Sequence, residues 1–124
     1  EGTVYQFPLD ETAEGKKYDF TRVPQADSKT MLKYYCLGAS QEGRCGYQYP
    51  SDGIEAIMRY DATELPYLGF WITTGGFRGD MNCALEPTNG FYDSITTSIG
   101  NGKCPVLKPG NEKRFWLEIE LCAL

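Results

Sequence analysis

Histidine is absent from this chain of 124 residues, and with it goes the side chain that titrates nearest neutral pH and most often binds metals. A zinc site would have to be assembled from cysteine and carboxylate alone. None of the five cysteines (Cys36, Cys45, Cys83, Cys104 and Cys122) stands at the short spacing of a zinc knuckle. No metal or other cofactor is expected. Basic clusters are equally scarce, the longest being the pairs Lys16-Lys17 and Lys113-Arg114. With a net charge of −5 the chain repels a phosphate backbone, so nucleic acid is not an expected partner. No apolar run approaches the roughly 20 residues of a membrane-spanning helix, and the amino terminus lacks the basic-then-apolar pattern of a signal peptide. A soluble protein with no membrane partner is the expectation. Internal repeats and low-complexity linkers are missing too.

The cysteines are odd in number and irregularly spaced, so they cannot all pair within one chain, and a reducing, cytoplasmic location is the simpler expectation. Without a histidine in the chain, none has the setting of a nucleophile, and at strand positions they read as small buried hydrophobes. The opening Glu1-Gly2-Thr3-Val4-Tyr5 has no initiator methionine and reads as the start of a strand, which makes a fragment of a longer protein the expectation.

Hydrophobic residues at 41% and aromatics at 14% supply one core, and residues 1–124 read as a single domain or part of one. Strand patterns dominate. From Gly53 to Tyr60, Ile54, Ala56, Met58 and Tyr60 alternate with Glu55, Ile57 and Arg59, the period-two signature of a half-buried strand. Phe115, Leu117, Ile119 and Leu121 alternate with Trp116, Glu118 and Glu120 in the same way. Thr30 to Leu37 and Lys17 to Val23 carry the aromatic content of strands, with Tyr34 and Tyr35 divided between core and surface. Tyr67 to Ile72 is apolar on both sides, as a central strand requires, although a short buried helix also fits.

Turn chemistry at Ser51-Asp52-Gly53, Gly75-Gly76, Asn89-Gly90, Asn101-Gly102 and Pro109-Gly110-Asn111 separates these runs. The resulting spacing fits an all-β antiparallel β-sandwich or barrel rather than alternating helices and strands. Only Asp61 to Leu65 and Tyr92 to Ile99 leave room for a helical turn or two, the second with Asp93 as the cap of a helix starting near Ser94.

Polar and aromatic groups suited to a sugar gather between Leu65 and Ser94. Sugars are held by an aromatic ring against their C–H face and by amides, carboxylates or guanidinium groups on their hydroxyls, because buried polar groups need partners. Trp71, Phe77, Arg78, Asp80, Asn82 and Glu86 supply that set. Asn82, Ala84 and Glu86 share one face of a strand, Met81, Cys83 and Leu85 share the other, and Pro87, with no N–H, is expected to end it. Each assignment has a plainer alternative. Glu86 can pair with a nearby Lys or Arg, Asn82 can bond backbone, Trp71 can belong to the core, and Arg78 and Asp80 can pair with each other in a loop.

The run from Leu65-Pro66-Tyr67-Leu68-Gly69 through Trp71 and Gly75-Gly76 to Asn82-Cys83-Ala84-Leu85-Glu86-Pro87 resembles the carboxy-terminal part of the aldose 1-epimerase, or galactose mutarotase-like, family. Asp93-Ser94, the Val106 to Gly110 turn and the Phe115 to Leu121 strand continue the likeness, which covers residues 52–121. The resemblance implies the carboxy-terminal part of a mutarotase-like supersandwich that binds a hexose or sugar derivative. It gives Glu86 the role of general base on the anomeric hydroxyl, beside Asn82, Arg78, Asp80 and Trp71, which the residue chemistry above offers as substrate contacts. The family's acid is a histidine, and this chain, less than half the length of a complete domain of that kind, has none. Either an upstream segment supplies the acid, or the protein keeps the sugar cleft without the reaction. A sandwich cut in this way exposes edges and apolar surface, so self-association or a missing amino-terminal half is expected.

Overall fold

The computed structural model describes residues 3–12, 14–91 and 93–124. Its elements are β1 (Leu9–Glu11), β2 (Lys17–Asp19), β3 (Thr30–Tyr35), β4 (Arg44–Tyr49), β5 (Ile54–Tyr60), β6 (Tyr67–Thr74), β7 (Met81–Thr88), α1 (Ile95–Gly100) and β8 (Leu117–Ala123). The sheets are β1-β2, β3-β6-β7 and β4-β5-β8. The protein is therefore all-β and of the antiparallel β-sandwich class, as the spacing of its turns implies. It divides into two compact units, residues 1–31 with 72–83 and residues 32–71 with 84–124, and the divisions fall inside β3, β6 and β7.

In the first unit, β1 pairs antiparallel with β2, Asp10 opposite Tyr18. The reading of Lys17 to Val23 as one strand is too long, because the chain turns after Asp19, whose carboxylate takes the N–H and the hydroxyl of Thr21. The expected opening strand is also not found. Glu1 and Gly2 lie outside the described residues, and residues 3–6 have no regular structure. Thr73 and Thr74 are buried, and their hydroxyls are satisfied locally. Thr73 Oγ1 accepts from the Phe77 N–H at 3.0 Å and donates to the Asp80 carbonyl at 3.3 Å, while Thr74 Oγ1 lies 2.7 Å from Ser28 Oγ. Gly76 is needed beside them, since a Cβ there would come within 2.6 Å of the Thr30 backbone.

In the second unit, β5 is the middle strand of its sheet. Tyr47, Ala56 and Leu121 lie in one row across it, and Gly46, Ile57 and Glu120 in the next. Ile57, Tyr60, Leu65, Leu68 and Phe91 are buried here, and Tyr34 stacks on Phe70 with ring centroids 5.0 Å apart. Tyr60 keeps its hydroxyl paired by donating to Ser40 Oγ at 3.0 Å.

Several boundaries differ from the sequence reading. β7 runs through Pro87 to Thr88 instead of ending before it, which an outer strand tolerates because one side of its ladder is open. β8 starts at Leu117, not Phe115, because its register is set by β5, Leu117 opposite Tyr60. Asp61 to Leu65 forms a turn closed by the Leu65 N–H to the Asp61 carbonyl at 2.8 Å. In the expected helical stretch, Tyr92 lies outside the described residues and the helix is Ile95–Gly100. No helix of the described residues is long and apolar enough to cross a membrane.

Burial separates two isoleucines of the same sheet. Ile57 is 6% exposed and Ile119 is 64% exposed. Ile57→Ala is expected to lower unfolding free energy by about 2–4 kcal/mol. Ile119→Ala should stay within about 0.5 kcal/mol of the parent in urea titrations.

Candidate functional site

Residues two apart on a strand share a face, which places Lys33 with Tyr35 on β3 and Tyr67 with Gly69 and Trp71 on β6. Gly69 is buried and has no side chain to occupy that surface. A Cβ there would lie 2.8 Å from Tyr35 Cε1 and 3.3 Å from Glu86 Oε2, so the missing side chain is what lets the Tyr35 ring and the Glu86 carboxylate close over β6.

Lys33 joins the charges. Its Nζ is 3.0 Å from Glu86 Oε2 and 2.8 Å from Asp93 Oδ1, and the Tyr35 hydroxyl also donates to Asp93 Oδ1. Glu86 Oε1 and Asp93 Oδ2 have no hydrogen-bond partner among the described residues, and the Glu86 side chain is 37% exposed. Among the described residues the cluster therefore offers one unpaired oxygen on each of Glu86 and Asp93, beside the Lys33 amine and the Tyr35 hydroxyl. Aromatic rings flank it. Phe91 lies 5.6 Å from Tyr35 and 5.4 Å from Tyr67 between centroids, and Lys103 Nζ stands 4.2 Å from the Phe91 centroid. α1 fixes this corner, since Ser98 Oγ donates to the Lys103 carbonyl at 2.8 Å and the Phe91 N–H donates to the same oxygen at 3.2 Å.

These contacts set the ionisation states. Partial burial works against the Lys33 charge, but hydrogen bonds to Asp93 and Glu86 outweigh it and hold the ammonium above the ordinary lysine value. Burial and the hydrogen bond to Asp93 push the Tyr35 phenol up to about 12. Asp93 is desolvated in the opposite sense, yet its bonds from Lys33 and Tyr35 prevail and hold it below the usual carboxylate value. At neutral pH Lys33 is therefore an ammonium, Tyr35 a neutral phenol and Asp93 a carboxylate.

Of the residues singled out from sequence, Glu86 on β7 and Trp71 on β6 belong to the second unit. Glu86 has the lysine partner of the plainer reading, placed within a larger polar group. Asn82, on β7, and Arg78 and Asp80, in the loop before it, belong to the first unit, and all three are exposed. Arg78 does not pair with Asp80. Its guanidinium carbon lies 5.1 Å from the Phe77 ring centroid, on a residue with left-handed backbone, φ 53°. The Asp80 backbone closes the loop, its carbonyl accepting from Gly75 at 2.9 Å and its N–H donating to the Phe77 carbonyl at 2.8 Å.

Asp93 is not the helix cap. Ser94 takes that position, its Oγ accepting from the Thr97 N–H at 3.3 Å, which frees the Asp93 carboxylate for Lys33 and Tyr35. Lys33 and Asp93 were missed as site residues because their partners are distant in sequence. The period-two placement of Lys33 beside Tyr35 was the available signal. The described residues hold no group of three or more His, Cys, Asp or Glu side chains that could bind a metal ion. Three of the cysteines, Cys45, Cys83 and Cys122, lie on strands, but they and Cys104 are only half-buried and Cys36 is exposed after β3, so the buried setting expected of them is not found.

No family model, curated protein or solved structure matches this chain.

Two outcomes test this geometry. Gly69→Ala should force the Tyr35 ring aside and lower unfolding free energy by about 1–3 kcal/mol in urea titrations. The depressed Asp93 pKa gives a contribution to stability that is present above about pH 4 and lost as pH falls through its folded value. The raised Lys33 and Tyr35 values give contributions that are full below about pH 10 and lost as pH climbs further. Plots of urea midpoint against pH should therefore differ between the parent and Asp93→Asn on the acid limb, with the variant flatter.

Proposed function

We propose that the chain binds a hexose or sugar derivative against the Lys33–Glu86–Asp93 cluster, with Glu86 meeting the anomeric hydroxyl. One observation carries the reading: two carboxylates with open acceptor positions are held by Lys33 and Tyr35 over the bare Gly69 backbone, beside the rings of Tyr67 and Phe91. Vicinal hydroxyls need acceptors and donors at fixed separations, and an apolar C–H face needs a ring. The cluster supplies both. Trp71 remains a proposed contact from its residue type, Asn82, Arg78 and Asp80 of the first unit remain sugar contacts proposed from the sequence alone, and a cytoplasmic location belongs to the same sequence reading.

The family resemblance extends this binding role to aldose 1-epimerase chemistry. Glu86 would take the proton from O1 while an acid protonates the ring oxygen O5. The C1–O5 bond then breaks, C1 turns about the C1–C2 bond, and closure on the other face returns both protons and inverts the anomeric centre. Lys33 and Tyr35 are poorly suited as the acid, since their surroundings favour the protonated forms at neutral pH. An acid from an upstream segment would complete the reaction. The second reading, a non-catalytic sugar-binding or sensing module, is favoured by the absence of histidine from the sequence.

Titration calorimetry against glucose, galactose and their phosphates, together with polarimetry of anomer interconversion, separates these readings. Saturable binding weakened at least about tenfold by Glu86→Gln is the expected result. If catalysis is present, the same variant should lose about 10²- to 10⁴-fold in rate. Binding without rate enhancement assigns the module, and binding unchanged in Glu86→Gln removes Glu86 from the site.

A further inference from the structure

We propose that the open edge of β8 is a docking site for an extended segment of another polypeptide in which apolar and basic residues alternate. The β5–β8 register shows which backbone groups are available. The Asp61 N–H donates to the Trp116 carbonyl at 3.2 Å and the Leu124 N–H to the Gly53 carbonyl at 3.0 Å, and each pair lies directly opposite in that register. Hydrogen-bonded pairs alternate with non-bonded ones in an antiparallel ladder. Residues 116, 118, 120, 122 and 124 therefore turn their peptide groups toward β5, and Leu117, Ile119, Leu121 and Ala123 turn theirs away. β8 is the last strand of its sheet, so these outward groups face no strand among the described residues.

Of the usual protections of an edge, β8 has only the charges of Glu118 and Glu120. It contains no proline and no lysine, and its register with β5 is unbroken from Leu117 to Ala123, without a bulge. One face carries Leu117, Ile119 and Leu121, exposed at 45%, 64% and 73%. The other carries Glu118 and Glu120, which share a single cation, Arg59, at 3.9 and 3.0 Å. A strand added here gains main-chain hydrogen bonds from the edge and selectivity from the side chains on its two faces. Apolar residues would cover the leucine and isoleucine row, and Lys or Arg would stand opposite the glutamates.

A second copy of β8 is a poorer occupant. Antiparallel pairing about a two-fold axis that uses the whole strand sets Glu120 against its own counterpart, or Glu118 against Glu120. Like charges directly opposite one another destabilise a strand pair. The charge pattern selects a basic partner.

The probe is a synthetic peptide about nine residues long that alternates Val and Lys, enough to span the strand. Its controls are a Val/Glu peptide and a Val/Lys peptide of the same composition with the two residue types in separate blocks. Titration calorimetry with the full chain should give binding of the alternating basic peptide at least about tenfold tighter than either control. Glu118→Lys with Glu120→Lys should reverse the preference toward the Val/Glu peptide. Ile119→Pro removes an outward N–H without touching the β5 ladder and should abolish binding with circular dichroism unchanged. Equal binding of the blocked peptide, retained binding by Ile119→Pro, or no binding of any peptide overturns the proposal. So does a dimer in sedimentation that dissociates on Ile119→Pro, which would assign the edge to a second copy.

Discussion

The ammonium of Lys33 is the contact on which the candidate site depends. It stands between Glu86 from β7 and Asp93 from the segment before α1, two carboxylates that would otherwise repel one another. Its worth is geometric more than energetic. Ion pairs as exposed as these contribute up to about 1 kcal/mol each, well below the cost of removing a buried side chain such as Ile57. The hydrophobic face of the sheets holds the fold, and Lys33 aims the carboxylates.

Backbone and packing make that aim possible. Gly69 leaves room over the middle strand of β3-β6-β7, Tyr35 and Glu86 close over it from the strands on either side, and Phe91, fixed by the Ser98–Lys103 connection, closes the aromatic side. The carboxylates are pre-oriented in the free protein, which reduces the ordering cost of binding. β8 shows the opposite condition, with regular backbone groups and an apolar row exposed together.

The strands were legible where apolar and polar residues alternate with a period of two. β5 is the clear case through Ile54, Ala56, Met58 and Tyr60, although the alternation misplaced its burial, since Ile57 on the opposite face is buried and Ile54 is exposed. β4 escaped despite a similar alternation of Cys45, Tyr47 and Tyr49 with Arg44, Gly46 and Gln48, since glycine and glutamine weaken the strand signal. Glu86 was legible as a carboxylate aimed away from the core. Its relation to Lys33 and Asp93 was not, because contacts between strands distant in sequence leave no local periodicity. Asp93 misled for a related reason: an acidic residue ahead of a short helix fits a cap as well as an ion pair, and only the Ser94 side chain decides between them.

The central claim is that a sugar meets the protein at this cluster. A nitrogen–proton correlation spectrum followed during titration with glucose or galactose tests it most directly. The account predicts saturable shifts concentrated at Lys33, Tyr35, Gly69, Glu86 and Asp93. Saturable shifts confined to other residues, or a spectrum unchanged at every sugar concentration, would contradict it.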